Sequence, residues 1–338
     1  MKKLISILIL LTTLILTGCF DSKEEIEPIV INGKTMGTTY TIKTFPIDES
    51  LTAESLQTDV DKVLIAVNQS MSPWVKNSEI NHFNALEANT FMPISADFYA
   101  VVAESIRLGQ STKTLDVTMG PLIDLWGFGP DKRPTKTPSD VQLEDMKTRI
   151  GVDKLILNEQ GLAKSIEGLE LSFSATAKGF GIDKVAELLE AKGMTSYMVE
   201  IGGELRIAGT KAQAQPWRIA IEQPDAPLGQ RQVHRIIEPG NNGMATSGDY
   251  RIFYEMDGET YTHLIDPATG KPVKHDLVSV TVLHPSAMTA DGLATALTVM
   301  GTERAKAYAE EHNLAVYLIS KSNNGLVTYS SPAFAPYL

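Results

Sequence analysis

Residues 279–300, SVTVLHPSAMTADGLATALTVM, constrain the fold of this 338-residue chain more than any other stretch. Val278, Val280 and Val282 alternate with Ser279 and Thr281, a period of two that predicts a strand. A loop with Pro285 stops it. From 290 to 300, Leu293, Ala296, Leu297 and Met300 recur at helical spacing. Asp291 and Thr295 are four apart and therefore share one face of that helix. A carboxylate and a hydroxyl one turn apart, at the start of a helix that follows a strand, suit a hard cation such as Mg2+. A plainer account has Asp291 capping the helix or favouring its first turn and Thr295 simply packed. Taken alone, the segment favours the plainer account.

The rest of the chain alternates short extended runs with a few amphipathic helices. Leu56, Val60, Val63, Leu64, Val67 and Met71 recur at three and four and predict a helix over 52–70. Further helices are expected from Ser78, and over 95–108, 141–150, 180–191 and 302–311, the 180–191 helix ending at Gly193. Strands are expected over 28–31 and 38–44 around an Asn32-Gly33 turn, and over 154–158, 169–173, 197–201, 204–208 and 217–222. More follow over 233–237, 250–256, 260–265, 314–319 and 325–329, with Asp257-Gly258 as a hairpin turn. Residues 115–130, dense in Gly, Pro and aromatics, read as loop. Strands outnumber helices and are often hairpin-linked, so the class is α+β, with largely antiparallel sheets and flanking helices. No linker or repeat divides residues 29–338.

Cys19 is the single cysteine. Lys2 and Lys3 precede an apolar run over 4–16 that is too short to span a bilayer comfortably. Leu16-Thr17-Gly18-Cys19 resembles the lipobox of bacterial lipoproteins. Residues 1–18 are then a signal peptide and 19–28 a charged tether lipidated on Cys19; an ordinary signal peptide or short membrane anchor is the alternative. The remaining chain has no thiol, which excludes a disulfide, a Cys-ligated metal and a cysteine nucleophile. The formal charge is −11 and no basic run of five occurs, which argues against nucleic acid as a partner.

Candidate chemistry is spread along the chain. Gly179-Phe180-Gly181 leading into a helix, with Lys184 beyond, could present amides and a cation to a phosphate; a tight strand-to-helix turn needing glycine is the plainer account. It is neither a dinucleotide fingerprint nor a Walker A loop. None of the six histidines pairs with another at metal-ligand spacing on a helix. His263, ending a strand in His263-Leu264-Ile265-Asp266-Pro267, could accept a proton from a hydroxyl or serve as a cross-strand hydrogen-bonding residue. Trp74 and Tyr40 could stack on a planar ring or belong to the core. Asp116 could accept ligand hydrogen bonds or form a turn.

Read in chain order, these segments form a series. They are Met36-Gly37-Thr38-Thr39-Tyr40; Met71-Ser72 with Ser78-Glu79-Ile80 and Phe83-Asn84; Asp116-Val117-Thr118 with Gly120-Pro121-Leu122 and Leu125-Trp126-Gly127-Phe128; and Ala177-Lys178-Gly179-Phe180 with Asp183. Gly202-Gly203-Glu204, Thr246-Ser247-Gly248-Asp249-Tyr250, His263-Leu264-Ile265-Asp266-Pro267 with Thr269-Gly270, and Ala290-Asp291 with Ala294-Thr295 complete it. The series resembles that of the ApbE-type FAD:protein FMN transferases over nearly all of the chain beyond residue 28. Its specificity lies in the order of its members.

The resemblance implies an ApbE-like flavin transferase fold and a lipid-anchored, periplasm-facing protein of the bacterial cell envelope, at the inner membrane. It implies binding of FAD and Mg2+, and transfer of the FMN half to a threonine or serine hydroxyl of a partner protein with release of AMP. Typical acceptors are subunits of sodium-pumping or electron-transfer membrane complexes. By motif position Asp291, Thr295 and the carbonyl of Gly181 would hold the metal. FAD contacts would fall on Met36, Trp74, Thr114, Leu115, Asp116, Lys178, Lys184 and Ile265. His263 would activate the acceptor hydroxyl, with Asp266 or Asp249 as alternatives. Some relatives carry tyrosine in place of Trp74, which should still stack, and aspartate in place of Ala294, which cannot supply the third metal-binding side chain of those relatives. Two other outcomes are a Mg2+-dependent FAD pyrophosphatase, with water as acceptor, and a non-catalytic flavin-binding lipoprotein.

Overall fold

The computed structural model describes residues 27–45, 51–130, 133–227, 230, 232–248, 252–256 and 258–338. The expected signal segment with Cys19, and Asp249, Tyr250 and Asp257, lie outside the described residues.

Eight strands form one sheet in which spatial order follows chain order: β1 (Ile29–Thr35), β2 (Thr38–Thr44), β3 (Tyr197–Ile201), β4 (Glu204–Ala208), β5 (Gly243–Gly248), β6 (Leu277–His284), β7 (Ala315–Ser322) and β8 (Gly325–Ser330). Every neighbouring pair is antiparallel. Among the described residues, four two-stranded antiparallel pairs lie outside this sheet. Among the described residues the helices are α1 (Ala53–Met71), α2 (Glu79–Asn84), α3 (Ala96–Thr112), α4 (Gly120–Leu125), α5 (Asp140–Lys147), α6 (Ala177–Ala191), α7 (Ala287–Met300) and α8 (Thr302–Glu311). The α+β class with a largely antiparallel sheet and flanking helices is what the pattern predicts.

The 279–300 segment is the centre of this arrangement. All of β6 except His284 is buried, so it is covered on both faces. Leu277, Val280 and Val282 pack under Ala290, Leu293, Leu297 and Met300 of α7, while Leu283 faces Ile237, Tyr317 and Phe334 on the other side. Each such Leu or Met burial contributes about 1.5–3 kcal/mol. Val278 departs from the predicted alternation. A register shift between Leu277 and Ser279 sends it to the Leu283 face, as a bulge does by inserting one residue into the period.

Several expectations are corrected. Asn32-Gly33 is inside β1, and the turn falls at Met36 and Gly37, both at positive φ. Gly33 pairs across the strands with Tyr40, whose ring occupies the space a Cβ would need, 2.4 Å away. The glycine makes room for the ring. Strand β5, GMATSG, escapes the pattern because it lacks bulky alternation. It carries small residues because α7 lies close over it: a Cβ on Gly243 would be 2.6 Å from the Ala287 Cα. Residues 120–125, expected to be loop, are helix α4. Residues 169–173 join no strand of a sheet. Their backbone is satisfied piecemeal, Gly120 N donating to Glu170 O, Leu171 N to Asn84 Oδ1 and Ser172 N to Val117 O.

Helix α6 begins at Ala177, three residues before the predicted start, so Lys178, Gly179 and Gly181 are helical. Gly179 is required for contact between helices. A Cβ there would sit 2.3 Å from the Ala287 carbonyl oxygen and 2.6 Å from the Met288 Cα. These are backbone atoms and cannot step aside cheaply. Gly179→Ala should therefore lose about 2–3 kcal/mol of stability, read from the urea midpoint at unchanged slope.

Candidate active site

The N-terminus of α7 is capped from two directions. Ser286 Oγ accepts from Thr289 N at 3.2 Å. Asp183, on α6, accepts from Ala287 N at 2.9 Å, Met288 N at 3.0 Å and Ser286 Oγ at 2.8 Å, and is paired with Arg206 at 3.0 Å. The unpaired amides of the first turn are thus met by a carboxylate from a neighbouring helix. Asp291 takes no part in capping its own helix; the amide it meets is that of Gly179, in the first turn of α6.

Asp291 is 3% exposed. Its Oδ2 accepts from Gly179 N at 3.2 Å and lies 3.7 Å from Lys178 Nζ. Lys178 Nζ is 2.7 Å from Glu204 Oε1. Burial and then the charge of Glu204 push the Asp291 carboxyl well above the usual range, against the pull of Lys178. Burial works against charge on Lys178, but Asp291 and Glu204 outweigh it and raise its affinity for the proton. The cluster therefore holds two carboxylates around one ammonium. Thr295, one turn beyond Asp291, is half-buried and faces a cavity beside it. These donors are all oxygen, the chemistry a hard cation takes. An acceptor oxygen of Glu204 that is buried with no partner among the described residues fits a cation in the same way.

Two chambers adjoin this cluster. The larger, of about 1070 Å³, includes Met36, Trp74, Phe128, Phe173, Lys178 and His263 in its lining. That volume is just above the usual range for small-molecule pockets, about 300–1,000 Å³. The smaller, of about 70 Å³, is lined by Thr114, Leu115, Asp116, His263, Ile265 and Thr295 among others. His263, Ile123 and Ser174 border both, which makes the two chambers one cleft. Trp74 stands on the rim, 68% exposed. Asn81 Nδ2 holds its loop by donating to Pro73 O and Val75 O, both at 2.9 Å.

His263 has a defined tautomer. Its Nδ1 is 3.1 Å from the carbonyl oxygen of Ile252. A carbonyl only accepts, so Nδ1 carries the hydrogen and Nε2 is the basic nitrogen. Burial lowers the pKa of the ring, as does the charge of Lys178, against the Ile252 hydrogen bond. Asp266 borders neither chamber; its Oδ1 accepts from Ala268 N at 2.9 Å, as a turn-forming aspartate does. Asp116 Oδ1 accepts from both the amide and the hydroxyl of Thr118, and burial raises its pKa.

Most of the residues expected at the site are thus gathered into one cleft from six separate segments. Three are not among its lining residues. Asp291 adjoins the cleft through Lys178, 3.7 Å away. Lys184 pairs with Glu187 at 2.9 Å and Asp97 at 3.5 Å. Gly181 is buried two residues along α6 from Gly179, packed against Met36. Glu204 and Ser174 were given no role by sequence. Only the Gly202-Gly203 turn before Glu204 marks it, and nothing local links it to Lys178.

The sequence profile of the ApbE family matches residues 36–318. A Haemophilus influenzae protein named FAD:protein FMN transferase is 48% identical, over 99% of this chain and 98% of its own. The solved structure of the flavin transferase ApbE from Vibrio cholerae superposes with a TM-score of 0.86 at 45% identity, covering 92% of this chain and 99% of that one. The apo flavinyl transferase ApbE of Pseudomonas stutzeri gives 0.84 at 36% identity, with 92% and 96% coverage.

Proposed function

This chain belongs to the ApbE family, and from that membership we propose that its cleft transfers the FMN half of FAD to a threonine or serine hydroxyl of a partner protein, in a Mg2+-dependent reaction that releases AMP. One observation carries the reading: a histidine with an open Nε2 borders both chambers, between the Lys178 side and the Thr295 side.

The chain has to hold a diphosphate inside a protein of charge −11. Lys178 borders the larger chamber but is matched by Glu204 and Asp291, so a bound cation would supply the positive charge there. Asp291, Thr295 and the carbonyl of Gly181 would hold the magnesium ion. When bound, it would neutralise the diphosphate and polarise the phosphorus under attack. Trp74 offers an aromatic wall for the isoalloxazine ring, and Met36, Thr114, Leu115, Asp116 and Ile265 the remaining contacts. The acceptor hydroxyl loses its proton to His263 Nε2 as its oxygen bonds to the FMN phosphorus. The bridging P–O bond breaks and its electron pair leaves with AMP. Positioning and charge, rather than covalent catalysis by the protein, carry such a step.

The acceptors would be subunits of sodium-pumping or electron-transfer membrane complexes, met on the periplasmic side of the inner membrane by a domain tethered through a lipid on Cys19. The test is incubation with FAD, Mg2+ and such a subunit. The expected result is equimolar AMP and yellow fluorescence that stays with the denatured subunit. AMP with no retained flavin would mean hydrolysis; no AMP would mean a binding protein only.

A further inference from the structure

A buried carboxylate oxygen without a donor is rare in folded proteins and asks for a reason. Glu204 has one: Oε1 takes Lys178 Nζ at 2.7 Å, while Oε2 is buried with no partner among the described residues. The residue is 6% exposed, so bulk water does not make up the deficit. Its position is set by the β3–β4 turn. Gly202 and Gly203 both take positive φ, and Gly202 lies against the stem of Lys178, where a Cβ would be 3.7 Å from Cδ. That turn brings Glu204 beside α6 and α7, where Lys178 Nζ lies within 4 Å of both its carboxylate and that of Asp291.

Charge leads to the same place. Lys178 is nearer Glu204 than Asp291, at 2.7 against 3.7 Å. With both carboxylates ionised, one negative charge is left unmatched on two buried side chains, and a buried unmatched charge is unfavourable unless a cation joins it. We propose that Glu204 is a further anionic member of the divalent-cation site, its free Oε2 serving the cation's coordination shell while Oε1 keeps Lys178 in place. This rests on the reading of Asp291 and Thr295 as metal-binding. Glu204 would replace part of the negative charge missing at Ala294.

The test is calorimetric titration of Mg2+ into flavin-free protein, comparing wild type with Glu204→Gln and Asp291→Asn. Glutamine keeps the shape and removes the charge. Wild type should bind, Asp291→Asn should not, and Glu204→Gln should weaken binding tenfold or more. Circular dichroism in EDTA verifies that each variant is folded. If Glu204→Gln does not fold, Glu204→Asp, which draws the charge back by one methylene, should also weaken binding at least threefold. Binding by the glutamate variant within twofold of wild type, while Asp291→Asn loses it, overturns the role of Glu204 alone. Unimpaired binding by Asp291→Asn, or none by wild type, overturns the metal reading beneath it.

Discussion

The Asp291→Asn variant is expected to lose flavin transfer by a factor of about a thousand, some 4 kcal/mol of transition-state stabilisation, while the metal-free protein becomes no less stable. The two effects have one cause. Asp291 is buried beside Glu204, and the two carboxylates share a single lysine. Asparagine retains an oxygen to accept from Gly179 N, leaves Lys178 on Glu204, and removes the repulsion. A relief of about 1 kcal/mol would raise the melting temperature by about 2 °C in a chain of this size. The stabilising result is the informative one, since loss of activity alone would also follow from misfolding. Adding Mg2+ should raise the melting temperature of wild type and not of the variant. Full activity in Asp291→Asn would remove the residue from the chemistry; a large drop in its melting temperature in EDTA would show its role to be structural.

His263→Gln should lower kcat by about a hundredfold to ten-thousandfold, the range for a positioned general base. The pH profile tests this more sharply. Burial lowers the pKa of His263, so the folded chain takes up that proton less readily than the unfolded chain. Nε2 is then free above the ordinary histidine range of about 6.5, and transfer should be flat from there upward. As pH falls through the depressed value the ring protonates and the rate falls. The contribution to stability has the same sign. It is full above the unfolded value and lost as pH falls through the folded one. In the glutamine variant the acid limb should disappear from the kcat/KM profile. A variant that keeps wild-type rates, or the same acid limb, would dismiss His263 as the base.

Local pattern was a good guide wherever an element answers to its own residues. The β3–β4 hairpin with Gly202-Gly203 and helix α8 fall where periodicity and turn chemistry put them. Pattern failed where a neighbour sets the residue. Gly33 reads as a turn and is space for Tyr40; β5 reads as nothing because α7 leaves room only for small side chains. The first turn of α6 reads as a tight strand-to-helix turn, or one that could meet a phosphate, because its glycines are counted as flexible, whereas Gly179 is there for a helix crossing. Lys184 fits the expected spacing, yet its charge is taken by Glu187 and Asp97.

By itself the sequence determined the class of fold, the central strand and helix, and the pairing of Asp291 with Thr295 on one helical face. Each depends on spacing within a few residues, through periods of two and 3.6. Tertiary structure alone decided that Asp183 caps α7 from 104 residues away, while Asp291 turns to the Gly179 amide and Lys178. It also decided that Lys178 lies between Asp291 and Glu204, and that Ile252 selects the tautomer of His263. Those contacts depend on how closely two helices cross and where a hairpin turn lands, and no periodicity along the chain encodes either.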